Sequence, residues 1–486
     1  MPSLLNICVF LPLWAAFILF FVPARNVRLI KTVALAATFA VLYFSSVILL
    51  QFNTQAAGLQ FIEMVPWITP MNIWYFVGVD GINVGLVFLT GLLGFLACIS
   101  SCKIEYRQKE YFISYLILMT GMMGTFVALD LFLFYIFWEA VLIPMYFLIG
   151  IWGGPRKEYA AMKFILYTLA GSVLMLVGIL TIYFTAPVHT FNILELSQVV
   201  PLFDFQLQVV LFLAFFVAFA IKVPVFPFHT WLPDAHVEAP TPVSVLLAGV
   251  LLKMGCYGFF RISFPFFPQA VHHFAYALAV LGAVNIVYGA CVAMAQTDFK
   301  KMVAYSSVSH MGFVLLGLAS LNVTGFNGAL LEMFNHGIIT GAMFLLVGVL
   351  YDRAHTRDLN KFGGLSGSLP VYAFFLTFCS LASLGLPGLS GFVGEFMSLA
   401  GAYAAFPQIT IIACLGLIVG AGYFLLMIQK VLLGPPVTNA LLYQDVNKAE
   451  IVTLVPLVLL TFALGVCPKL ILQFQQAAIE ALRNLL

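Results

Sequence analysis

Charge is what this sequence has least of. Only 8% of its 486 residues are Asp, Glu, Lys or Arg, against 63% hydrophobic, where a soluble domain carries about 25% charged residues. Such a chain would not stay dispersed in water, because most of its apolar side chains would have no interior to enter. The bilayer is the solvent that fits. Net charge is +2, so no strong field draws nucleic acid. Cysteine is present in no useful pattern: of the eight, at 8, 98, 102, 256, 291, 379, 414 and 467, only Cys98 and Cys102 are close neighbours. There is no CxxC and no Cys/His cluster, which argues against a metal, iron–sulfur or disulfide framework; the thiols read as small apolar fillers. No nucleophile–base set and no cofactor-binding loop is found either, which disfavours a stand-alone enzyme. The first apolar stretch lacks a basic n-region and a small-residue cleavage site, and so predicts a retained spanning helix rather than a signal peptide.

What is there is a succession of apolar runs. A spanning helix needs about 20 mainly apolar residues. Fourteen candidates run at roughly 3–22, 29–50, 80–100, 111–129, 132–151, 160–184, 206–228, 241–262, 272–295, 302–320, 325–350, 370–399, 408–432 and 452–473. Basic residues, which favour inside loops, test that map. Sixteen of the 21 Lys and Arg fall on one side, three (Arg261, Lys469, Arg483) on the other, and Lys222 and Lys253 fall inside spans. A wrong helix count would have scrambled this asymmetry. It places both termini on the outer face. Residues 51–79 contain no Lys or Arg and read as an outer loop, with Trp67 and Trp74 at the interface.

An ionisable group near the bilayer centre costs about 2.5–3.5 kcal/mol on the insertion scale, so it must face protein or water. Four stand out. Glu139 lies in FYIFWEAVLIPMYFLIG, ahead of Pro144. Lys222 lies in FVAFAIKVPVFPFHTW, where Pro224 and Pro227 remove backbone donors and predict a broken helix with room for water. Lys253 sits near the middle of its span, too deep to reach the surface easily. Glu395 follows LASLGLPGLSGFVGEF, whose glycines and Pro387 predict a second break. The plainer readings are structural ion pairs for Glu139 and Lys253 and snorkelling for Lys222.

Two interrupted spans, the seventh and the twelfth, each with an intramembrane charge, are the mark of an inverted-repeat transporter. They lie five helices apart. The predicted organisation is therefore N-terminal helices 1–3 (1–110), a five-helix repeat (111–262), an inverted second copy (263–435) and a C-terminal helix (436–486). Histidines add relay capacity. His310 sits in YSSVSHMGF, and His336 follows Glu332 by four residues, on one helix face; either can also be an ordinary hydrogen-bonded core histidine. His229, Asp234, His236 and Glu238 share HTWLPDAHVEAPTP, a stretch without Lys or Arg that reads as a proton entry or as a proline-stiffened turn. The chemistry suggested is proton relay. A carboxylate beside a lysine holds the lysine's proton in place; moving it away loosens that proton, because desolvation is then uncompensated. Glu139 with Lys222 would be the switch, Lys253 and His310 the carriers, and Glu395 the outlet.

FWEAVLIPMYFLIGIWGG, KVPVFPFHTWLPDAHVEAPTPVSVLLAGVLLKMGCYG, AYSSVSHMGF and NHGIITGAMFLLVG together resemble the antiporter-like membrane subunits of respiratory complex I, from about residue 70 to about residue 430. Glu395 separates this chain from the branches of that family that typically carry a lysine there. The resemblance implies an all-α polytopic fold of fourteen helices with two inverted repeats. It implies a polar axis of Glu139, Lys222, Lys253, His310 and Glu395, with His336 beside it. It also implies no cofactor and no metal in this chain: flavin mononucleotide, iron–sulfur clusters and quinone belong to partner subunits. The partners implied are the other membrane subunits, above all the sister antiporter-like ones, together with lipid and protons. The function expected is proton translocation in NADH:quinone oxidoreductase, in a bacterial plasma membrane or else the mitochondrial inner membrane. The rival readings are a subunit of a multi-subunit sodium/proton antiporter and a scaffold that moves no ions. Four intramembrane charges, together about 10–14 kcal/mol on the insertion scale, argue against a passive scaffold.

Overall fold

A computed structural model describes residues 3–436 and 443–486. In hydrocarbon every backbone N–H and C=O must find a partner within the protein, which turns long apolar runs into helices. Among the described residues thirteen helices are long and apolar enough to cross a membrane. In chain order they are Leu4–Phe21, Val27–Gln51, Val84–Ser101, Gln108–Val127, Leu131–Trp152, Lys157–Thr185, Phe205–Lys222, Thr241–Phe266, Pro268–Met294, Phe299–Ala319, Val323–Ala354, Pro407–Leu432 and Lys448–Val466. Between Val323–Ala354 and Pro407–Leu432 a further crossing is assembled from two shorter helices, Pro370–Ser383 and Ser390–Ala405. With that pair as span 12, the crossings are numbered 1 to 14, in the expected order.

Spans 8, 10 and 11 form the interior and are almost wholly covered by the rest of the chain. Spans 1, 2, 6, 13 and 14 surround them and turn large apolar side chains outward, among them Trp14, Phe39, Leu166, Ile418 and Leu459. That exposure suits lipid and would be untenable in water.

Both expected breaks are present. Span 7 stops at Lys222 and resumes as Trp231–Glu238. Its interrupted backbone is satisfied from the side. Asn285 of span 9 accepts from the Phe226 N–H (2.7 Å) and donates to Pro224 O (3.2 Å), while Trp231 Nε1 donates to Ile221 O (2.8 Å). Span 12 stops at Ser383 and resumes at Ser390, turning through Gly385 at φ +78°, a conformation that favours glycine. There Asn335 of span 11 donates to Ser390 O (2.7 Å). Span 5 jogs at Val141, between Glu139 and Pro144. Span 8 contains two π turns, Leu247–Leu251 and Phe259–Ser263.

Four features differ from the sequence reading. Residues 51–79 are not a plain loop: Gln60–Ile68 and Ile73–Val79 pair as an antiparallel hairpin, turned at Asn72 in the left-handed region. The Trp74 N–H donates to Asp130 Oδ2 (3.1 Å), tying the hairpin to the start of span 5. The last apolar run ends at Val466, and a separate amphipathic helix, Lys469–Leu485, follows it. Arg261, counted from sequence with the outer-face basic residues, is buried in span 8 and paired with Asp80 at 2.7 Å. Lys163, counted with the inner-face basic residues, lies within span 6 and pairs with Asp234 (2.7 Å). Residues 437–442, part of the expected C-terminal segment 436–486, lie outside the described residues.

Candidate functional site

The interior spans carry Lys253, His310, Glu332 and His336, because those spans have no lipid-facing side on which an apolar residue would be required; Lys222 and Glu395 lie buried on the broken spans 7 and 12. In span 8 a π turn leaves the helix's own hydrogen-bond ladder incomplete. Lys253 Nζ uses it, donating to Ala248 O at 2.5 Å. The same ammonium lies 2.6 Å from His336 Nδ1 of span 11. With Lys253 protonated, Nδ1 accepts and the imidazole proton sits on Nε2, which is buried and has no partner among the described residues.

His336 and His310 of span 10 stand with ring centroids 5.5 Å apart. His310 Nδ1 is 2.9 Å from Glu395 Oε1 of span 12 and 3.9 Å from Glu332 Oε1 of span 11. All four side chains are buried. A cavity of about 10 Å³ is lined by both rings together with Glu332, Ile339, Thr340 and Ser383; that is room for about one water. Four of the six residues singled out from sequence (Lys253, His336, His310 and Glu395) are thus one continuous line. Glu332 joins them. Its four-residue spacing from His336 was readable, but its closeness to Glu395 depends on how spans 11 and 12 pack. That approach is allowed by Gly394, where a β-carbon would lie 2.6 Å from Glu332 Oε2.

The remaining two, Glu139 and Lys222, form no salt bridge with each other among the described residues. Lys222 is buried, and its Nζ has no hydrogen-bond partner there. It rests instead over the Trp138 ring at 4.9 Å and the Phe164 ring at 5.9 Å, contacts worth about 0.5–2 kcal/mol each. Glu139, the neighbour of Trp138, also keeps Oε1 unpartnered. His229 and His236 likewise leave both ring nitrogens without partners among the described residues, and His236 stacks on Phe344 at 4.5 Å. Beside them Asp234 and Glu238 are held by Arg156, at 3.7 and 3.8 Å.

At the face where the basic residues collect, a cavity of about 340 Å³ opens between Lys103, Thr241, Asp352, Glu450 and Thr453. Lys103 bridges Asp352 (2.8 Å) and Glu450 (2.6 Å), and Arg353 meets Glu450 at 2.8 Å. Partial burial pulls Lys103 down, but its hydrogen bonds to the two carboxylates outweigh that and hold its proton above the ordinary lysine range. One group among the described residues brings three ligand-type atoms within 4.8 Å of one another: His310, Glu332 and Glu395. One nitrogen and two oxygens would suit a divalent ion as well as a proton.

Residues 128–419 match the family model described as NADH:quinone oxidoreductase/Mrp antiporter, TM. NADH-quinone oxidoreductase subunit M of Rhodobacter capsulatus is 46% identical, covering 97% of this chain and 94% of that one. NADH-ubiquinone oxidoreductase chain 4 of Arabidopsis thaliana is 40% identical, covering 97% and 95%. Among solved structures, a chain of respiratory complex I from Thermus thermophilus with bound NADH superposes with a TM-score of 0.90 at 32% identity, covering 99% of both chains. A chain of the Mrp complex from Dietzia superposes with a TM-score of 0.89 at 22% identity, covering 100% and 98%; that likeness is one of fold alone.

Proposed function

The chain belongs to the NADH:quinone oxidoreductase/Mrp antiporter membrane family, on its subunit M (chain 4) branch, and from that premise we propose that it translocates protons as a membrane-arm subunit of an NADH:quinone oxidoreductase. The observation that carries this is the buried line Lys253–His336–His310–Glu395, contributed by four different spans, with contacts of 2.6 and 2.9 Å at its two ends. A proton on Lys253 passes to His336. It crosses the cavity to His310 and leaves through Glu395.

Glu139 and Lys222 are the switch in an open arrangement. No carboxylate pairs with the buried ammonium of Lys222, which rests against aromatic faces, and in this arrangement it hands its proton toward Lys253. Closing the pair would draw a proton back. In this reading the ring of paired charges around the 340 Å³ cavity is the vestibule through which water supplies the line, with the basic face inside and the chain ends outside. Spans 4–8 and 9–13 are two inverted copies, a reading supported by breaks in spans 7 and 12 and by ionisable groups in spans 5 and 10. Flavin, iron–sulfur clusters and quinone reside in partner subunits, and the sister antiporter-like subunits flank this one. We place it in a bacterial plasma membrane, in keeping with bacterial relatives up to 46% identical.

Native membrane vesicles carrying Glu139→Ala test the proposal, with proton pumping and NADH oxidation assayed in parallel and assembly checked. Loss of pumping in an assembled complex supports the relay. Full pumping leaves Glu139 a structural residue and ends the switch.

A further inference from the structure

Glu332, on span 11, is a buried acid of the interior spans that the relay does not use. It is 2% exposed, and its Oε2 has no hydrogen-bond partner among the described residues. Its other oxygen lies 3.9 Å from His310 Nδ1, the same nitrogen that meets Glu395 Oε1 at 2.9 Å. The groups facing this spot are His310 from span 10, His336 from its own span, Glu395 from span 12 and, beyond His336, Lys253 from span 8. No Lys or Arg touches either carboxylate among the described residues. Two carboxylates buried this deeply, with room for about one water beside them, cannot both be ionised without a cation between them, because like charges at this range repel strongly and solvation is scant.

We propose that Glu332 and Glu395 form a proton-loading site, sharing one proton across His310, so that the outlet of the relay is a pair and not a single acid. The step balances simply. At rest the pair holds one proton and His310 is neutral. A proton arriving from His336 makes His310 the imidazolium. Its Nδ1–H then passes to the pair, which briefly holds two protons, and one departs through Glu395 while His310 returns to neutral. Spread over two carboxyls that share a proton, the single negative charge holds the imidazolium less tightly than a lone carboxylate would, and so keeps the last carrier from becoming a trap. The inference rests on the relay reading for its direction of flow, but not for the sharing itself.

The test uses the assembled complex in native membranes with Glu332→Gln, Glu332→Asp and Glu395→Gln, read by proton pumping and by the H/D-sensitive infrared band of protonated carboxyl groups. A shared proton predicts one such band lost in both Gln variants, coupled turnover lower by about tenfold or more in Glu332→Gln, up to the 10²–10⁴ of a positioned proton-transfer group, and partial rescue in Glu332→Asp. If the band survives in Glu395→Gln and is lost only in Glu332→Gln, Glu332 is a permanently neutral structural acid and the proposal is overturned. Full turnover in Glu332→Gln overturns it equally. Full pumping in Glu395→Gln would instead sink the relay reading, whatever the infrared band shows.

Discussion

Lys253 and His336 meet head to head at 2.6 Å across the contact between spans 8 and 11. The other anchor of the ammonium is a carbonyl of its own helix, Ala248 O. No carboxylate touches it among the described residues. The lysine is therefore positioned by neutral groups. That is what a carrier needs: a salt bridge would hold its proton, whereas a neutral imidazole can take it.

Lys253→Met follows from this arrangement. Removing a buried ammonium that has no counter-charge relieves a desolvation cost, so the thermal midpoint of the assembled complex should hold or rise. Coupled NADH oxidation should fall about tenfold or more, since a positioned proton-transfer group is worth about 10²–10⁴ in rate. Turnover unchanged with the variant assembled would remove Lys253 from the relay.

Gly394→Ala probes the approach of spans 11 and 12. The added carbon would sit 2.6 Å from Glu332 Oε2 and 2.9 Å from Glu332 Cα, and since Cα is backbone, one helix must move. Overpacking of this kind costs about 1–3 kcal/mol. The expected result is a lower midpoint together with reduced pumping. Normal pumping at a lowered midpoint would show that the spacing of Glu332 and Glu395 is not critical.

Asn285→Leu tests how span 7 tolerates being broken. It strands the Phe226 N–H and the Pro224 C=O, each at about 1–3 kcal/mol when buried without a partner. Less assembled complex and a lower midpoint are expected, with a smaller loss in Asn285→Asp, which still accepts from Phe226. A midpoint equal to wild type would mean that water serves the break as well as Asn285 does.

Asp130 gives a pH-dependent prediction. It caps the start of span 5, accepting from Trp74, Phe132 and Leu133 N–H, yet burial outweighs those bonds and pushes its carboxyl up to about 6. Between about pH 4, where an unfolded aspartate ionises, and pH 6 the folded protein keeps a proton that the unfolded chain has lost. Its contribution is full below that window and fades as pH rises through it. Asp130→Asn keeps an N-cap and should gain on wild type as pH climbs from 4.5 to 7, by about 2 kcal/mol. Parallel midpoints across that range would refute the shift.

The spans and their breaks could be read from sequence because they are local. Pro224 and Pro227 remove donors wherever they stand, and Gly385, Pro387 and Gly388 interrupt a helix regardless of neighbours. The hairpin at Gln60–Ile68 was hidden because Glu63 and Pro66 spoil its alternation and its anchor, Asp130, is distant in sequence. The helix Lys469–Leu485 was hidden because its first apolar residues extend the run of span 14. For the site, residue type and depth marked Lys253, His310, His336 and Glu395. Which of them touch was set by packing between spans. That packing brought Glu332 to Glu395 and gave Lys222 the ring of Trp138 in place of Glu139.

The helix Lys469–Leu485 lies against spans 3 and 11. Its Gln475 Nε2 donates to Asn327 O at the start of span 11 (2.9 Å), and Ile471, Ile479 and Leu482 are buried beneath it. A ribosome releases the chain from its beginning, so span 3 is threaded into the bilayer hundreds of residues before its cover exists. Until residues 469–485 have been made, the flank of the span that bears Glu332 and His336 stays bare. The order of synthesis thus leaves a late checkpoint: a transcript cut short near its end would yield a protein with every crossing in place and this interior element still unsealed.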